Sequence, residues 1–238
     1  MKSHIPISSN PENWWQKSRI FYLKHFLKNI EKKDDFNILE IGPGFGLNVN
    51  TLSQFGKVDI AETETHFLKY LKDKKSDQIR NFFDEVYDIP DNQYDFIVLM
   101  DVLEHIPDDE IKTFVNKIIS LGKPQSHIFL SVPAHQYLFS EMDVSVGHYR
   151  RYSWKLLNKH ICKYYKRVSS FGFNYLLFLI RVIQIKYSRN IKKEVEVSNI
   201  LNKILYLILK IEYFLFLIKF RPKFGLSYFF IGKNSKNK

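Results

Sequence analysis

The stretch "ILEIGPGFG", residues 38–46, sets Gly42, Gly44 and Gly46 at alternate positions directly after an apolar run that carries Glu40. Bare backbone in this pattern lets a ligand approach the main chain closely. It is not the G-x-G-x-x-G of a dinucleotide site, because Leu47 stands at the third-glycine position. Nor does it carry the Gly-Lys-Ser/Thr of a phosphate-binding P-loop. A second acid, Glu62, closes the next short apolar run at the distance expected of a carboxylate that binds ribose hydroxyls. Glycines flanked by these two acids suit an adenosine ligand whose other end carries an amino acid.

A second concentration of reactive side chains lies in "PAHQYLFSEMDVSVGHYRRYS", residues 133–153. A connection of this length is uncommon unless it has a function. It gathers His135, Asp143, His148, Tyr149, Arg150 and Arg151, a composition suited to gripping an anionic or polyhydroxylated acceptor. With His105 of "LEHIP", the candidate general bases are His105, His135, His148 and Asp143; a structural hydrogen bond competes with chemistry for His105. The catalytic candidates are His148, Tyr149 and Arg150, and Arg150 or Arg151 is a candidate for binding a substrate phosphate or carboxylate. The histidines lack the paired spacing of metal ligands, so no metal is expected.

These groups must be positioned by an alternation of strands and helices. "FNILEIG", "KVDIAE", "QIRNFF", "YDFIVLM", "SHIFLSVP", "YYKRVSSFGF" and "GLSYFFIGK" read as seven strands. Between them, "LNVNTLSQFG", "THFLKYLKDK" and "DDEIKTFVNKIISLGKP" read as helices, the last stopped by Gly122 and Pro124. An opening helix starts with Asn10 as its N-cap and Pro11 in its first position. The reading is an α/β fold with a doubly wound, mostly parallel sheet. Residues 1–35 form an N-terminal helical cap and 36–238 the main domain, with 173–224 a helical apolar and basic insertion before the last strand.

At 238 residues the chain can bury a substantial core, and 45% hydrophobic content excludes disorder. The single cysteine, Cys162, cannot form an internal disulfide, which fits a reducing compartment. The N-terminus carries no apolar stretch of signal-peptide length. The net charge of +11 is unevenly placed: residues 1–171 hold 23 Lys/Arg against 22 Asp/Glu, and 172–238 hold 13 against 3. Basic and strongly apolar together point to a membrane surface more than to a nucleic acid.

Within the insertion, Asn174, Arg181, Gln184 and Ser188 fall on one helical stripe, and Asn199, Asn202, Lys203, Tyr206 and Lys210 on another, each leaving a wide apolar face. Neither stretch offers 18 uncharged apolar residues, so a spanning helix is not expected. Glu212 and Lys219 conflict with an apolar face. The insertion can serve as a membrane attachment, a lid over an apolar substrate or a homodimer interface, or simply pack as a cap on the core.

Four stretches, "ILEIGPGFG", "VDIAE", "YDFIVLMDVLEHIPDD" and "HIFLSVPAHQYLF", give the chain a resemblance to the class I (Rossmann-like) S-adenosylmethionine-dependent methyltransferases over roughly residues 35–170. "NWWQKSR" and "GHYRRYS" also resemble a bacterial subgroup associated with glycan or lipid-linked sugar pathways. The resemblance implies S-adenosyl-L-methionine as cofactor. It places the backbone at Gly42, Gly44 and Gly46 against the methionyl part, Glu40 near its ammonium and Glu62 on both ribose hydroxyls. Asp84, or in its place Asp88, meets the adenine amine, and Met100 and Asp101 line the cofactor.

The function this implies is methyl transfer to an oxygen, less readily a nitrogen, of a lipid-linked or amphipathic glycan-type substrate. The expected location is cytoplasmic, with peripheral contact at the inner face of the membrane. The rivals are a soluble small-molecule methyltransferase that dimerises through the insertion, and a non-catalytic scaffold that binds the cofactor. No nucleic-acid partner is expected, since a target-base motif and a basic groove are both absent from the core.

Overall fold

The computed structural model describes residues 13–31, 34–178, 180, 182–183 and 198–235. Seven strands form one sheet: β1 (Asn37–Ile41), β2 (Lys57–Ala61), β3 (Asn81–Phe83), β4 (Tyr94–Met100), β5 (Gly122–Pro133), β6 (Tyr165–Phe173) and β7 (Ser227–Asn234). Their order is β3-β2-β1-β4-β5-β7-β6. β7 runs antiparallel between β5 and β6, whereas the pairings among β1–β5 are parallel. β1 and β4 are buried along almost their whole length, as near-continuous apolar runs covered on both faces must be.

The helices are α1 (Trp14–Asn29), α2 (Val49–Leu52), α3 (Thr65–Lys75), α4 (Ile111–Leu121), α5 (Glu141–Ser145), α6 (Trp154–His160) and α7 (Asn199–Leu217). On one face of the sheet, α4 buries Ile111, Phe114, Val115, Ile118 and Ile119, the stripe that a 3.6-residue period creates, and α6 joins it through Leu157. On the other face, α1, α2, α3 and α7 cover Ile38, Phe96, Val98, Phe129, Phe171 and Phe229. Order reversal between β1 and β4 puts the carboxyl ends of these two strands beside an open crevice, the position where doubly wound sheets bind ligands.

Two local expectations change, and a third falls largely outside the described residues. Asn10 and Pro11 lie outside the described residues, and the N-cap of α1 is Asn13, whose Oδ1 accepts the Trp15 N–H at 2.8 Å. The helix after the glycines is a single turn, because Gly42, Gly44 and Gly46 all adopt positive φ and turns continue to Asn48. The stripe through Arg181, Gln184 and Ser188 lies outside the described residues, but Asn174 is buried.

α7 departs furthest from its pattern. Its buried residues are Leu209, Glu212 and Phe216, and it faces α1 with residues that the sequence assigned to the polar side. Asn202 Oδ1 accepts the Trp14 N–H at 2.9 Å, the Tyr206 ring meets Phe21, and Tyr213 stacks on Phe21 at 5.2 Å. Ile200, Ile204, Leu207, Ile211, Phe214 and Ile218 therefore point outward, each exposed. None of the described helices is long and apolar enough to cross a membrane.

Glu212 resolves its conflict inside the protein. Its two oxygens accept the backbone N–H groups of Asn174 and Leu176, both at 2.8 Å, where the chain leaves β6. Burial pushes this carboxyl up to about 7 against the pull of those donors. The folded value lies above the unfolded one, so this group's contribution is full below about 4.5 and declines as pH rises through about 7.

Replacing Glu212 with Ala leaves two buried N–H groups without an acceptor. The expected loss is on the order of 2 kcal/mol in denaturant unfolding. Glu212→Gln, which does not titrate, should show a shallower decline of stability than the native chain as pH rises from about 4.5 through about 7.

Candidate functional site

The carboxyl edge of β1 begins the site. Gly42, Gly44 and Gly46 have φ of +64°, +54° and +63°, a conformation that side-chain-bearing residues rarely adopt. A Cβ at Gly42 would press on Val102 and one at Gly46 on Leu71, whereas one at Gly44 would meet open space. Gly44 is the glycine that faces the crevice. Its N–H donates to Glu62 Oε2 at 2.9 Å, and Glu62 Oε1 accepts the Glu64 N–H at 3.0 Å. Glu62 thus pins the glycine loop to the end of β2, and its burial raises its carboxyl pKa.

Glu40, nearly inaccessible to water, accepts from Asn48 Nδ2 at 2.7 Å through Oε1. Its Oε2 is buried and has no hydrogen-bond partner among the described residues. Burial pushes this carboxyl up to about 7, against Asn48 and the nearby Arg19 guanidinium. A second contact of Asn48 Nδ2, 3.3 Å to Met100 Sδ, places Met100 beside Glu40 at the end of β4. Asp84 follows β3 directly and is exposed, and Asp88 ends the short helical turn Val86–Asp88, also exposed.

Asp101, next after β4, is held at φ +57°, a strained value of the kind that clusters at ligand sites. Its carboxylate is fixed by Arg19 Nη1 at 2.9 Å and by the Ser131 hydroxyl at 2.9 Å, and Arg19 Nη2 also donates to Ser131 Oγ. Arg19 comes from α1 and is 4% exposed. The sequence offered no signal for it beyond a basic residue in an otherwise amphipathic helix.

The loop after β5 is drawn onto the segment after β4. Arg150 donates to the carbonyls of Leu103 at 3.0 Å and Ile106 at 2.6 Å and pairs with Asp108 at 2.8 Å. Buried and engaged at each of these contacts, its guanidinium acts as a staple rather than presenting itself to a substrate. Tyr149 donates its N–H to the Glu104 carbonyl while its ring is exposed.

This staple brings His148 against Glu104 and His105. The His105 and His148 rings lie 4.7 Å apart at 78°. His148 Nδ1 meets Asp143 Oδ1 at 2.9 Å, which leaves Nε2 directed at Glu104 Oε1, 4.0 Å away. Glu104 is fully buried, and no other described residue reaches either of its oxygens in hydrogen-bonding geometry. Its burial, reinforced by Asp101, holds this carboxyl well above the usual carboxylate range.

Asp143 is the anchor of the loop. It accepts from Arg151 Nε at 2.8 Å and, through Oδ2, from the Ser140 N–H and hydroxyl in a capping box on α5. Burial alone would raise its carboxyl, but the His148 bond, Arg151 and Ser140 outweigh it and hold the value at about 2. His135 takes a different place, among the rings of Tyr137, Phe178 and Tyr228, with φ at +64°.

A family model described as a methyltransferase domain, Methyltransf_23, matches residues 15–171. Among solved structures, an S-adenosylmethionine-dependent methyltransferase from Archaeoglobus fulgidus is similar, with a TM-score of 0.56 and 16% identity over 92% of this chain and 96% of that one. The YcgJ protein from Bacillus subtilis aligns with a TM-score of 0.59 and 14% identity, over 92% of this chain and 99% of its own. Phosphoethanolamine N-methyltransferase 2 from Haemonchus contortus, in complex with S-adenosyl-L-methionine, gives a TM-score of 0.59 and 17% identity over 93% of this chain and 53% of that one. No curated protein sequence matches.

Asp143 provides a test of the loop's electrostatics. With a folded pKa of about 2 against 3.8 unfolded, its charge stabilises above 3.8 and loses that effect as pH falls toward 2. Asp143→Asn is expected to cost about 2 kcal/mol at neutral pH in urea unfolding, with the gap to the native chain closing below pH 4.

Proposed function

Given that the chain belongs to the methyltransferase-domain family and takes S-adenosylmethionine as methyl donor, we propose that it methylates an oxygen of a lipid-linked or otherwise amphipathic glycan-type acceptor. The observation that carries the cofactor seat is the buried Glu40 Oε2, which has no partner, beside a Gly44 whose side-chain position is open. A buried carboxylate oxygen without a donor is costly, and a ligand ammonium relieves it. Glu62 uses one lone pair of each oxygen on backbone N–H groups and keeps others for ribose hydroxyls. On this reading Met100 and Asp101 would close the seat from β4, and Asp84, exposed directly after β3, would meet the adenine amine.

Bound S-adenosylmethionine supplies a methyl group already made electrophilic by its sulfonium. What remains for the chain is to hold an acceptor oxygen in line, about 3–3.5 Å from that carbon, and to remove a proton if the acceptor is a hydroxyl. His148 is the group built for the second task, since Asp143 fixes its Nδ1 and frees Nε2. A carboxylate or phosphate acceptor needs no base.

The amphipathic character of the acceptor is supported by α7. Its outward residues Ile200, Ile204, Leu207, Ile211, Phe214 and Ile218 form one apolar row, exposed throughout. Lys203, Lys210 and Lys219 lie along the same segment, in a part of the chain with a large excess of positive charge. An apolar row with flanking lysines fits the surface of an anionic membrane. On this reading the enzyme works in the cytoplasm at the inner face of the membrane. The same row could instead pair two copies of a soluble enzyme.

Gly44→Leu fills the crevice and should weaken S-adenosylhomocysteine binding at least 100-fold by calorimetry, whereas unchanged affinity would remove the proposed seat. The acceptor class is tested with radiolabelled S-adenosylmethionine and cell extract split into membrane-lipid and soluble fractions. Label is expected in the lipid fraction, and the protein should float with anionic vesicles while Ile204→Asp/Ile211→Asp stays in solution. Label confined to soluble molecules, with dimers lost on the same double substitution, would establish the other reading.

A further inference from the structure

Glu104 presents a physical problem that the methyl-transfer reading leaves unsolved. Its carboxyl has no accessible surface and no hydrogen-bond partner in any other described residue, a rare state, and it sits in the middle of a charged cluster. The charges that act on it are Asp101 on the same segment, Arg19 from α1 and Arg151 from the loop. Arg19 is matched by Asp101 and Arg151 by Asp143. Among the described residues Glu104 is the acid of this cluster left without a cation of its own.

Two imidazoles lie beside it. One ligand atom from each of Glu104, His105 and His148 can be chosen so that all three lie within 4.8 Å of one another. The 4.0 Å between His148 Nε2 and Glu104 Oε1 is too long for a hydrogen bond. Ligands about 2.1 Å from one tetrahedral ion stand roughly 3.4 Å apart, so a small rotation closes the difference. Behind His148, Asp143 holds Nδ1, which fixes the ring and leaves Nε2 as the ligand atom. A carboxylate behind a ligating histidine is how protein metal sites orient their ligands. Gly147, at φ +81°, turns the loop so closely that its own Cβ position lies 3.8 Å from His105 Nδ1.

We propose that Glu104, His105 and His148 bind a divalent transition-metal ion of the Zn2+ or Mn2+ kind, with Asp143 orienting His148. Two imidazoles and one carboxylate are a donor set that leaves coordination positions open. His105 is on the exposed side, so the open positions face solvent and an incoming acceptor. The proposal deepens the function argued above and rests on its oxygen acceptor only for the ion's task. There the ion, in place of the His148 imidazole, would acidify the acceptor hydroxyl, whose proton leaves to solvent.

The test uses the full-length protein stripped with a chelator and titrated with ZnCl2 and with MnCl2 by calorimetry. Co2+ serves as an optical probe of coordination. One ion per chain should bind at micromolar concentration or tighter, and Co2+ should give a visible ligand-field band. His105→Ala and His148→Ala should each weaken binding at least 100-fold, and Asp143→Asn about 10- to 100-fold. Glu104→Gln should abolish binding, because a neutral amide replaces the carboxylate ligand. His105, with its exposed edge, provides the variant least at risk of misfolding.

Absence of binding to the native chain, or binding that survives His105→Ala/His148→Ala, overturns the proposal. S-adenosylhomocysteine affinity, measured on the same samples, separates the two readings. If it persists without any metal binding, only the metal site fails, whereas its loss from the native chain removes the methyltransferase seat.

Discussion

The guanidinium of Arg19 governs the carboxyl edge of the sheet. From its place in α1 it bonds Asp101 after β4 and Ser131 in β5, and Ser131 in turn bonds Asp101. The triangle fixes the ends of the two central strands relative to each other. It also sets a positive charge near Glu40 and Glu104, two buried acids whose carboxyls would otherwise be still harder to ionise. A buried cation of this kind is tolerable because its hydrogen bonds are made by groups that are themselves fixed. The site therefore depends on the position of α1, an element outside the alternating strand and helix pattern.

α1 is held in turn by α7. Tyr22 lies among Phe171, Phe173, Phe216 and Phe229, and Trp14 and Phe21 reach Asn202, Tyr206 and Tyr213. Glu212 fastens α7 to the end of β6 by bonds to the backbone. The chain of contacts runs from β6 through α7 and α1 to Arg19 and the ends of β4 and β5. The insertion thus contributes structurally to the site whatever its outer row of apolar residues meets.

The parts of this arrangement that were legible in the sequence are those governed by short-range rules. β1, β2, β4 and β5 announce themselves as apolar runs bounded by turn residues, and the positive φ of Gly42, Gly44 and Gly46 follows from the absence of a side chain. Glu40 and Glu62 could be placed because each lies a fixed step from a strand end. In α7 the polar stripe and the apolar face were legible, but which of the two is covered was not. Periodicity identifies which face of a helix is apolar, but burial depends on what the neighbouring element offers, and α1 offered a Trp14 N–H and aromatic rings to Asn202 and Tyr206. Glu212 was visible as a conflict, though its partners, two backbone groups far back in the chain, were not. Asn13 displaced Asn10 as the cap of α1 because either residue can fill that role. Glu104, His105 and His148 show no ligand spacing along the chain, since β5 and α5 intervene before the loop returns.

The two arginines of "GHYRRYS" illustrate how a basic loop can be directed inward. Adjacent in sequence, Arg150 and Arg151 serve opposite ends of one construction. Arg150 grips the carbonyls of Leu103 and Ile106, so the loop lies on the turn that carries Glu104 and His105. Arg151 holds Asp143, which Ser140 also binds, so that the carboxylate stands behind His148. One arginine sets where the loop lies and the other sets how its imidazole points. A long loop after β5 thereby acquires the fixed geometry that alignment of a reacting group requires, with side chains that need not touch the substrate.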